Sequence, residues 1–160
     1  MNSSNDIMIF EAELMPLIRE RLAAGQTVRY LPFRGVSMLP MLRQGKDQVE
    51  LSPLPEKLQK YDLPVYQYPS GKYVMHRVVA VEEDYYVCNG DNLLEMEKIP
   101  HDWMIAIVTA FTRNGRRIEV TDWRYRLYAR FWCAVRPVRH GYRRMKSGIK
   151  RLLKAILRRG

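Results

Sequence analysis

Three side chains in this sequence are of the types that hydrolyse acyl bonds with a nucleophile, a base and a carboxylate. Ser37 lies in the segment G-V-S-M-L-P, His76 in Y-V-M-H-R-V-V, and Asp91 in the turn-like segment N-G-D-N. A serine hydroxyl is a weak nucleophile at neutral pH and needs a neighbouring base. A histidine titrates near neutrality and can take the hydroxyl proton, while a carboxylate can fix the tautomer of the ring. The three residue types favour acyl-transfer chemistry if the fold brings them together.

Structural interpretations stand beside this one. A serine between glycine and proline is commonly a turn residue, and Asp91 can cap its own backbone. His101 precedes the last predicted strand in a turn-like stretch, and His140 lies among arginines, so both are expected at the surface. Cys88 and Cys133 are 45 residues apart, which is neither a C-x-x-C motif nor a metal-ligand spacing. We therefore expect no metal and no cofactor.

The predicted elements that position these residues form a mainly β domain over residues 26–120. Short segments rich in β-branched and aromatic residues are separated by Pro, Gly, Asn and Asp, which is typical of strands and turns. We expect Ser37 in the loop after the first strand, and His76 and Val78 on the same face of a later one. The predicted strands are 26–33, 62–68, 72–81, 85–88 and 103–111, with a hairpin that joins 109–112 to 117–120 through R-N-G-R.

Helices are predicted on both sides of this domain. Residues 1–25 have apolar positions at helical spacing, with a start or bend near Pro16 and a stop at Gly25. Residues 121–160 form a basic helical tail with a second helix predicted over 142–158. The first tail helix is predicted to carry one apolar face, made of Leu127, Tyr128, Phe131, Trp132 and Val135.

Charge separates the body of the chain from the tail. Residues 1–112 hold 11 Lys and Arg against 15 Asp and Glu, whereas residues 113–160 hold 16 against only Glu119 and Asp122. Basic amphipathic helices with Trp and Tyr suit an anionic membrane surface, so we expect such contact through 121–158. The alternative is that the apolar faces pack on the β domain. Nucleic acid is not favoured, because no motif that reads DNA or RNA accompanies the charge.

The sequence also predicts a compartment. No uncharged apolar run approaches the roughly 20 residues of a spanning helix, and the N-terminus lacks the pattern of a secretory signal. With two dispersed cysteines, we expect a cytoplasmic protein that contacts the inner face of the membrane.

Four motifs, in order, resemble those of the signal-peptidase and SOS-repressor type serine peptidases. The segment G-V-S-M-L-P (35–40) matches a G-x-S-M-x-P loop, and Y-D-L-P-V (61–65) loosely matches G-D-x-V, with Tyr61 where Gly is usual. The segment H-R-V-V (76–79) matches the strand with the base before Arg, and G-D-N (90–92) matches the last motif. The resemblance covers about residues 26–112 and implies a signal-peptidase-like β-barrel or sandwich.

The resemblance also implies roles. Ser37 is expected to be the nucleophile and His76 the general base and then the general acid, as in the Ser/His pairs of archaeal and endoplasmic-reticulum signal peptidases. Most bacterial members have Lys at the position of this histidine. Asp91 is the candidate orienting carboxylate, with Glu95 or Glu97 as alternatives.

The same resemblance implies an oxyanion hole at the backbone N–H of Ser37. Gly35 stands where some bacterial members supply a hydroxyl, and is expected to permit a tight backbone or a close approach of substrate. Met38 and Pro40 are expected to shape the loop.

The predicted function is a serine endopeptidase that removes a leader or signal segment from a protein or peptide. Two alternatives remain open. One is a self-cleaving SOS-repressor-like regulator cut at Ala24-Gly25, although this pair is close to Ser37 and residues 1–25 are too few for a helix-turn-helix domain. The other is a catalytically inactive domain that binds peptides or docks at a membrane.

Overall fold

The computed structural model describes residues 3–30, 35–139, 141, 142 and 145, and the side chains from residue 13 onward. The chain is mainly β, with two antiparallel sheets and helices at either end of the described chain. In chain order the elements are α1 (Ser3–Ala23), β1 (Val28–Tyr30), β2 (Gln48–Ser52), β3 (Pro64–Gln67), β4 (Tyr73–Met75), β5 (Arg77–Val81), β6 (Tyr85–Asn89), β7 (Glu97–Pro100), a 3₁₀ turn (His101–Trp103), β8 (Met104–Arg113), β9 (Arg116–Glu119) and α2 (Trp123–Ala134).

The first sheet has the order β1-β2-β8-β3-β4, and β9 also pairs with β8. Strand β8 is central because it is long enough to pair with three neighbours, and its residues alternate between buried and half-buried along most of its length. The second sheet has the order β5-β6-β7. The hairpin predicted at R-N-G-R is confirmed: Asn114 and Gly115 have φ of 51° and 76°, the positive values that a tight hairpin turn requires.

Both helices pack on the core of the first sheet. Fully burying an apolar side chain of this size contributes about 1.5 to 3 kcal/mol, so these contacts hold the helices to the sheet. The buried residues that α1, the loop after β1 and α2 contribute are Met15, Ile18, Leu22, Met38, Met41, Leu42, Tyr125 and Ala129. The first half of the basic tail is therefore packed on the β-sheet core, which is the alternative interpretation of the tail.

The apolar face predicted for the first tail helix is divided in the structure, because Tyr128, Trp132 and Val135 are half-buried whereas the other two residues lie at the surface. Leu127 and Phe131 are both 60% exposed, while Tyr125 and Ala129 face the core. The reason is a polar contact that apolar spacing does not register, since the Tyr125 hydroxyl accepts a hydrogen bond from buried Arg77 at 2.8 Å. The second predicted tail helix, 142–158, lies outside the described residues apart from 142 and 145. In the described part of the chain, no helix is long and apolar enough to cross a membrane.

The predicted strand over 72–81 is interrupted at His76. Strand β4 pairs with β3 in the first sheet, whereas β5 pairs with β6 in the second, so the chain changes sheets at this residue. The sequence alternates on both sides of His76 and gives no sign of the change. Strands β2 and β7 were not predicted; each is short and carries charged residues, among them Glu50 and Glu97.

Candidate active site

The loop that carries Ser37 leaves β1 and is anchored in the large core by Met38, which is 4% exposed. Gly35 has φ of 109°, a left-handed conformation that favours glycine. The Leu39-Pro40 peptide is cis, and Pro40 is exposed. Of the loop residues predicted to shape the site, Met38 anchors the loop in the core, and Gly35 provides the backbone conformation with which the described part of the loop begins.

The G-D-N turn holds the Ser37 backbone from the other side. The Asn92 N–H donates to the Ser37 carbonyl oxygen at 2.7 Å, and Asn92 Nδ2 donates to the Val36 carbonyl at 3.0 Å. A Cβ built on Gly90 would lie 2.9 Å from the Ser37 carbonyl oxygen, closer than real Cβ atoms approach. Glycine is therefore required at this position for the turn to pack on the serine loop.

His76 reaches the same place through the second sheet. The pairing of β5 with β6 sets Arg77, which follows His76, opposite Asn89, which precedes Gly90. Opposite residues of antiparallel strands have Cα atoms about 4.5 to 5.5 Å apart. The residue after His76 therefore pairs next to the turn on which the Ser37 carbonyl packs.

The direct contact predicted between the two side chains is not made. Within the described residues, no hydrogen bond joins Ser37 Oγ to His76, and Ser37 is half-buried. Catalytic hydrogen bonds of this kind are often formed only when substrate is bound. The Ser37 N–H likewise donates to no acceptor in the described part of the chain, which leaves it available to a carbonyl oxygen.

The carboxylate at His76 is Glu97. His76 Nδ1 lies 3.0 Å from Glu97 Oε2, and the Tyr66 hydroxyl donates to the same oxygen at 2.7 Å while lying 3.0 Å from Nδ1. An unprotonated Nδ1 would face the carboxylate lone pairs, so Nδ1 carries the proton and donates it. The other ring nitrogen, Nε2, is then unprotonated, as a general base requires.

Burial is the main influence on His76 and lowers its pKa below the ordinary value, while the charge of Glu97 opposes it. The ring is therefore neutral at pH 7. Burial raises the pKa of Glu97, but the Tyr66 hydrogen bond and the proximity of His76 outweigh it, so the net pKa is lowered. Burial and Glu97 together raise the pKa of Tyr66, which keeps its hydroxyl a donor. The cluster is a carboxylate held between two donors.

Asp91, the predicted orienting carboxylate, is instead bound to Arg77, and the prediction of its contact with His76 is corrected. Arg77 Nε and Nη2 donate to its two oxygens at 2.8 and 2.7 Å, and both side chains are buried. A bidentate pair of this kind occupies both carboxylate oxygens. Of the two alternatives, Glu95 is exposed, and Glu97 takes the position.

The Arg77–Asp91 pair links the site to α2. Arg77 is fully buried and also donates to the Tyr125 hydroxyl, while Trp132 Nε1 donates to the Asp91 carbonyl oxygen at 3.0 Å. The buried charge is compensated by these contacts, which fix the G-D-N turn from behind. Sequence reasoning quoted Arg77 only as part of a motif and gave Tyr66 no role. The sequence could only suggest that a carboxylate orients the histidine, as is common beside a histidine base. No spacing rule selects Glu97.

The remaining candidates have no part in this cluster. Burial raises the pKa of the Cys88 thiol to about 12, and the thiol is buried. His101 is half-buried and packs on Tyr86 at 4.2 Å between ring centroids, so its prediction as a surface residue is only partly met. His140 lies outside the described residues.

Among the residues that the structure describes, no group of His, Cys, Asp and Glu is arranged to hold a metal ion. The described site is thus a serine loop, a neutral buried histidine and a carboxylate that fixes its tautomer. No family model, no curated protein and no solved structure matches this chain.

Proposed function

We propose that this chain is a serine endopeptidase in which Ser37 is the nucleophile, His76 the general base, and Glu97 the carboxylate that orients His76. The observation that carries the proposal is the hydrogen bond from His76 Nδ1 to Glu97, which leaves Nε2 as an acceptor, while the next residue, Arg77, pairs beside the turn on which Ser37 packs.

In the proposed reaction, His76 Nε2 takes the proton of Ser37 Oγ as the oxygen attacks the carbonyl carbon of the scissile peptide bond. The reaction requires Oγ and Nε2 to approach to about 3 Å when substrate is bound. The Ser37 N–H donates to the developing oxyanion. His76 then gives its proton to the leaving amine, and a water molecule, activated by the same ring, hydrolyses the acyl-enzyme.

The proposal includes membership of the signal-peptidase and SOS-repressor type, and one backbone feature supports it. Tyr61, at the position where the resembled motif has glycine, has φ of 83°, a conformation that glycine adopts most readily. The Tyr61 carbonyl accepts a hydrogen bond from Arg77 Nη1 at 3.2 Å. The backbone geometry of that motif is thus compatible with the family even where the residue type departs from it.

The surface around the site favours an apolar peptide segment as substrate. Val36, next to the nucleophile, and Leu94 and Met96, after the G-D-N turn, are 57%, 40% and 54% exposed. Exposed apolar side chains near a site in the chain favour an apolar ligand. We therefore propose that the enzyme cleaves a leader or signal segment with apolar residues near the scissile bond.

Peptide-library cleavage followed by mass spectrometry tests the proposal. Purified full chain is incubated with a mixture of synthetic peptides, and products are compared with those of Ser37→Ala and of the matched control Ser70→Ala, an exposed serine in a turn. We expect cleavage by wild type and by Ser70→Ala and none by Ser37→Ala. Equal cleavage by Ser37→Ala would reject the serine mechanism.

The mass of the intact chain separates this proposal from self-cleavage. In the structure, Ala24 and Gly25 form the turn after α1, and their N–H groups donate to the carbonyl oxygens of Glu20 and Leu22. A chain that stays intact while it cleaves added peptides acts in trans. A Ser37-dependent break between Ala24 and Gly25 would instead favour the regulator.

A further inference from the structure

An apolar surface runs along the side of α2 that faces away from the core. Trp123, Leu127 and Phe131, here called the outer face of α2, are 67%, 60% and 60% exposed and follow one another at intervals of four residues, which places them on one side of the helix. Further exposed apolar residues follow along the chain at three- and four-residue intervals: Val138, Tyr142 and Met145.

Arginines flank the outer face of α2. Arg124, Arg126 and Arg130 are exposed, and in the described part of the chain none of them forms an ion pair with a carboxylate. If these arginines served only to solvate the surface, we would expect some of them to form ion pairs with acidic residues of the body. The outer face of α2 thus combines apolar side chains with flanking arginines that have no acidic partner. It is complementary to a partner with an anionic surface layer and an apolar interior.

The rest of α2 is fixed to the body, so the outer face cannot turn inward. Tyr125 and Ala129 are buried in the large core, and Asp122 caps the helix by accepting from the Arg124 N–H at 2.7 Å. Trp132 holds the same helix to the Asp91 carbonyl. The outer face of α2 is thus held in a fixed orientation toward solvent. The same helix packs behind the G-D-N turn.

We propose that the outer face of α2 docks the protein on the surface of an anionic lipid bilayer, with the helix lying in the plane of the membrane. Trp123, Leu127 and Phe131 enter the boundary between headgroups and acyl chains, and the flanking arginines contact lipid phosphates. The aromatic residues suit this boundary because their rings are largely apolar. Docking through α2 holds the candidate site close to segments that leave or enter the membrane.

Vesicle co-sedimentation of the full chain tests docking. The vesicles contain equal parts of phosphatidylcholine and phosphatidylglycerol, or phosphatidylcholine alone, at low and at high salt. We expect binding to the anionic vesicles that weakens at high salt, since exposed charges are screened within a Debye length. Equal binding to both vesicle types, or no binding to either, overturns the proposal.

Point variants assign the binding to the outer face of α2. Leu127→Gln with Phe131→Gln should lower the vesicle partition coefficient about tenfold or more, because two apolar side chains no longer leave water. The matched control is Leu17→Gln, an equally exposed leucine of α1, which should bind like wild type. Truncation is unsuitable as a test because α2 contributes to the core. Wild-type binding by the double variant overturns the proposal.

The electrostatic part is tested in the same way. Arg126→Gln with Arg130→Gln should weaken binding to anionic vesicles by about fivefold per arginine. The charge-matched control is Lys46→Gln with Lys57→Gln, two exposed lysines elsewhere. Equal loss in both pairs would show a general charge effect and reject docking by α2. Thermal melting followed by circular dichroism shows that each variant is folded.

Sedimentation equilibrium without lipid excludes the rival occupant. If wild type is a dimer, the double apolar variant a monomer, and neither binds vesicles, the outer face is an interface between copies of this chain and the proposal fails. Lipid binding is measured without any peptide cleavage, so its failure and the failure of the proposed peptidase activity are distinguishable.

Discussion

Replacing Glu97 by glutamine tests whether this carboxylate positions the proposed base. Glu97 Oε2 accepts from both His76 Nδ1 and the Tyr66 hydroxyl, so Glu97→Gln keeps the shape of the cluster but removes its charge. A hydrogen bond to a charged group is worth about 1.5 to 3 kcal/mol. If about 2 kcal/mol of this acts on the protonated ring in the transition state, kcat should fall about thirtyfold. The amide N–H₂ can also face Nδ1 and impose the wrong tautomer, which would enlarge the loss.

The pH profile separates a positioning role from a structural one. Glu97 acts to raise the pKa of His76 against the effect of burial, so its removal should lower that pKa further. The acid limb of kcat against pH should therefore move to lower pH in Glu97→Gln, while the plateau falls. The matched control is Glu95→Gln, an exposed carboxylate two residues earlier in the chain, which should leave both unchanged.

The assay is cleavage of one peptide identified from the library, measured as kcat and KM over pH with wild type and both variants. A plateau at the wild-type level with an unmoved acid limb in Glu97→Gln would refute the assignment of this carboxylate. A fall in the melting temperature without a change in the pH profile would instead assign Glu97 a structural role only.

Three further variants follow from the same contacts. Asp91→Asn should destabilise the fold by about 3 to 5 kcal/mol in urea unfolding, because it removes the partner of a fully buried arginine. Gly90→Ala should lower activity more than stability, since its Cβ would meet the Ser37 carbonyl oxygen at 2.9 Å, whereas the control Gly141→Ala meets nothing. Because folding lowers the pKa of His76, the unfolded chain binds protons more readily, and stability should rise with pH from the folded pKa up to the ordinary value of 6.5. His76→Gln should remove that part of the slope, and an unchanged slope would contradict the burial of a neutral ring.

Much of the architecture followed from local patterns. The mainly β class and the hairpin at Asn114-Gly115 depend on the local backbone preferences of individual residues. In the hairpin, these preferences are seen in the positive φ angles of both residues. Such features could be predicted because alternation and turn preferences involve only neighbours in the chain.

The choice of carboxylate was decided by the tertiary structure. Asp91 and Glu97 are both acidic residues near the end of the predicted motif series, and nothing in their spacing ranks them. The sheet pairing separates them: Asp91 turns toward Arg77, and Glu97 begins β7, where Tyr66 and His76 meet it. Contacts between residues 21 positions apart depend on strand register, which no single segment specifies.

The orientation of α2 was decided in the same way. Apolar spacing in 121–135 identified a helix and an apolar face, but apolar residues of this helix lie both at the core and at the surface. The sequence by itself determined that an amphipathic basic helix forms. Which face turns inward depends on the hydrogen bond between Tyr125 and Arg77, a buried arginine of the second sheet. This contribution to stability arises only when distant segments are packed together and their polar groups must be satisfied.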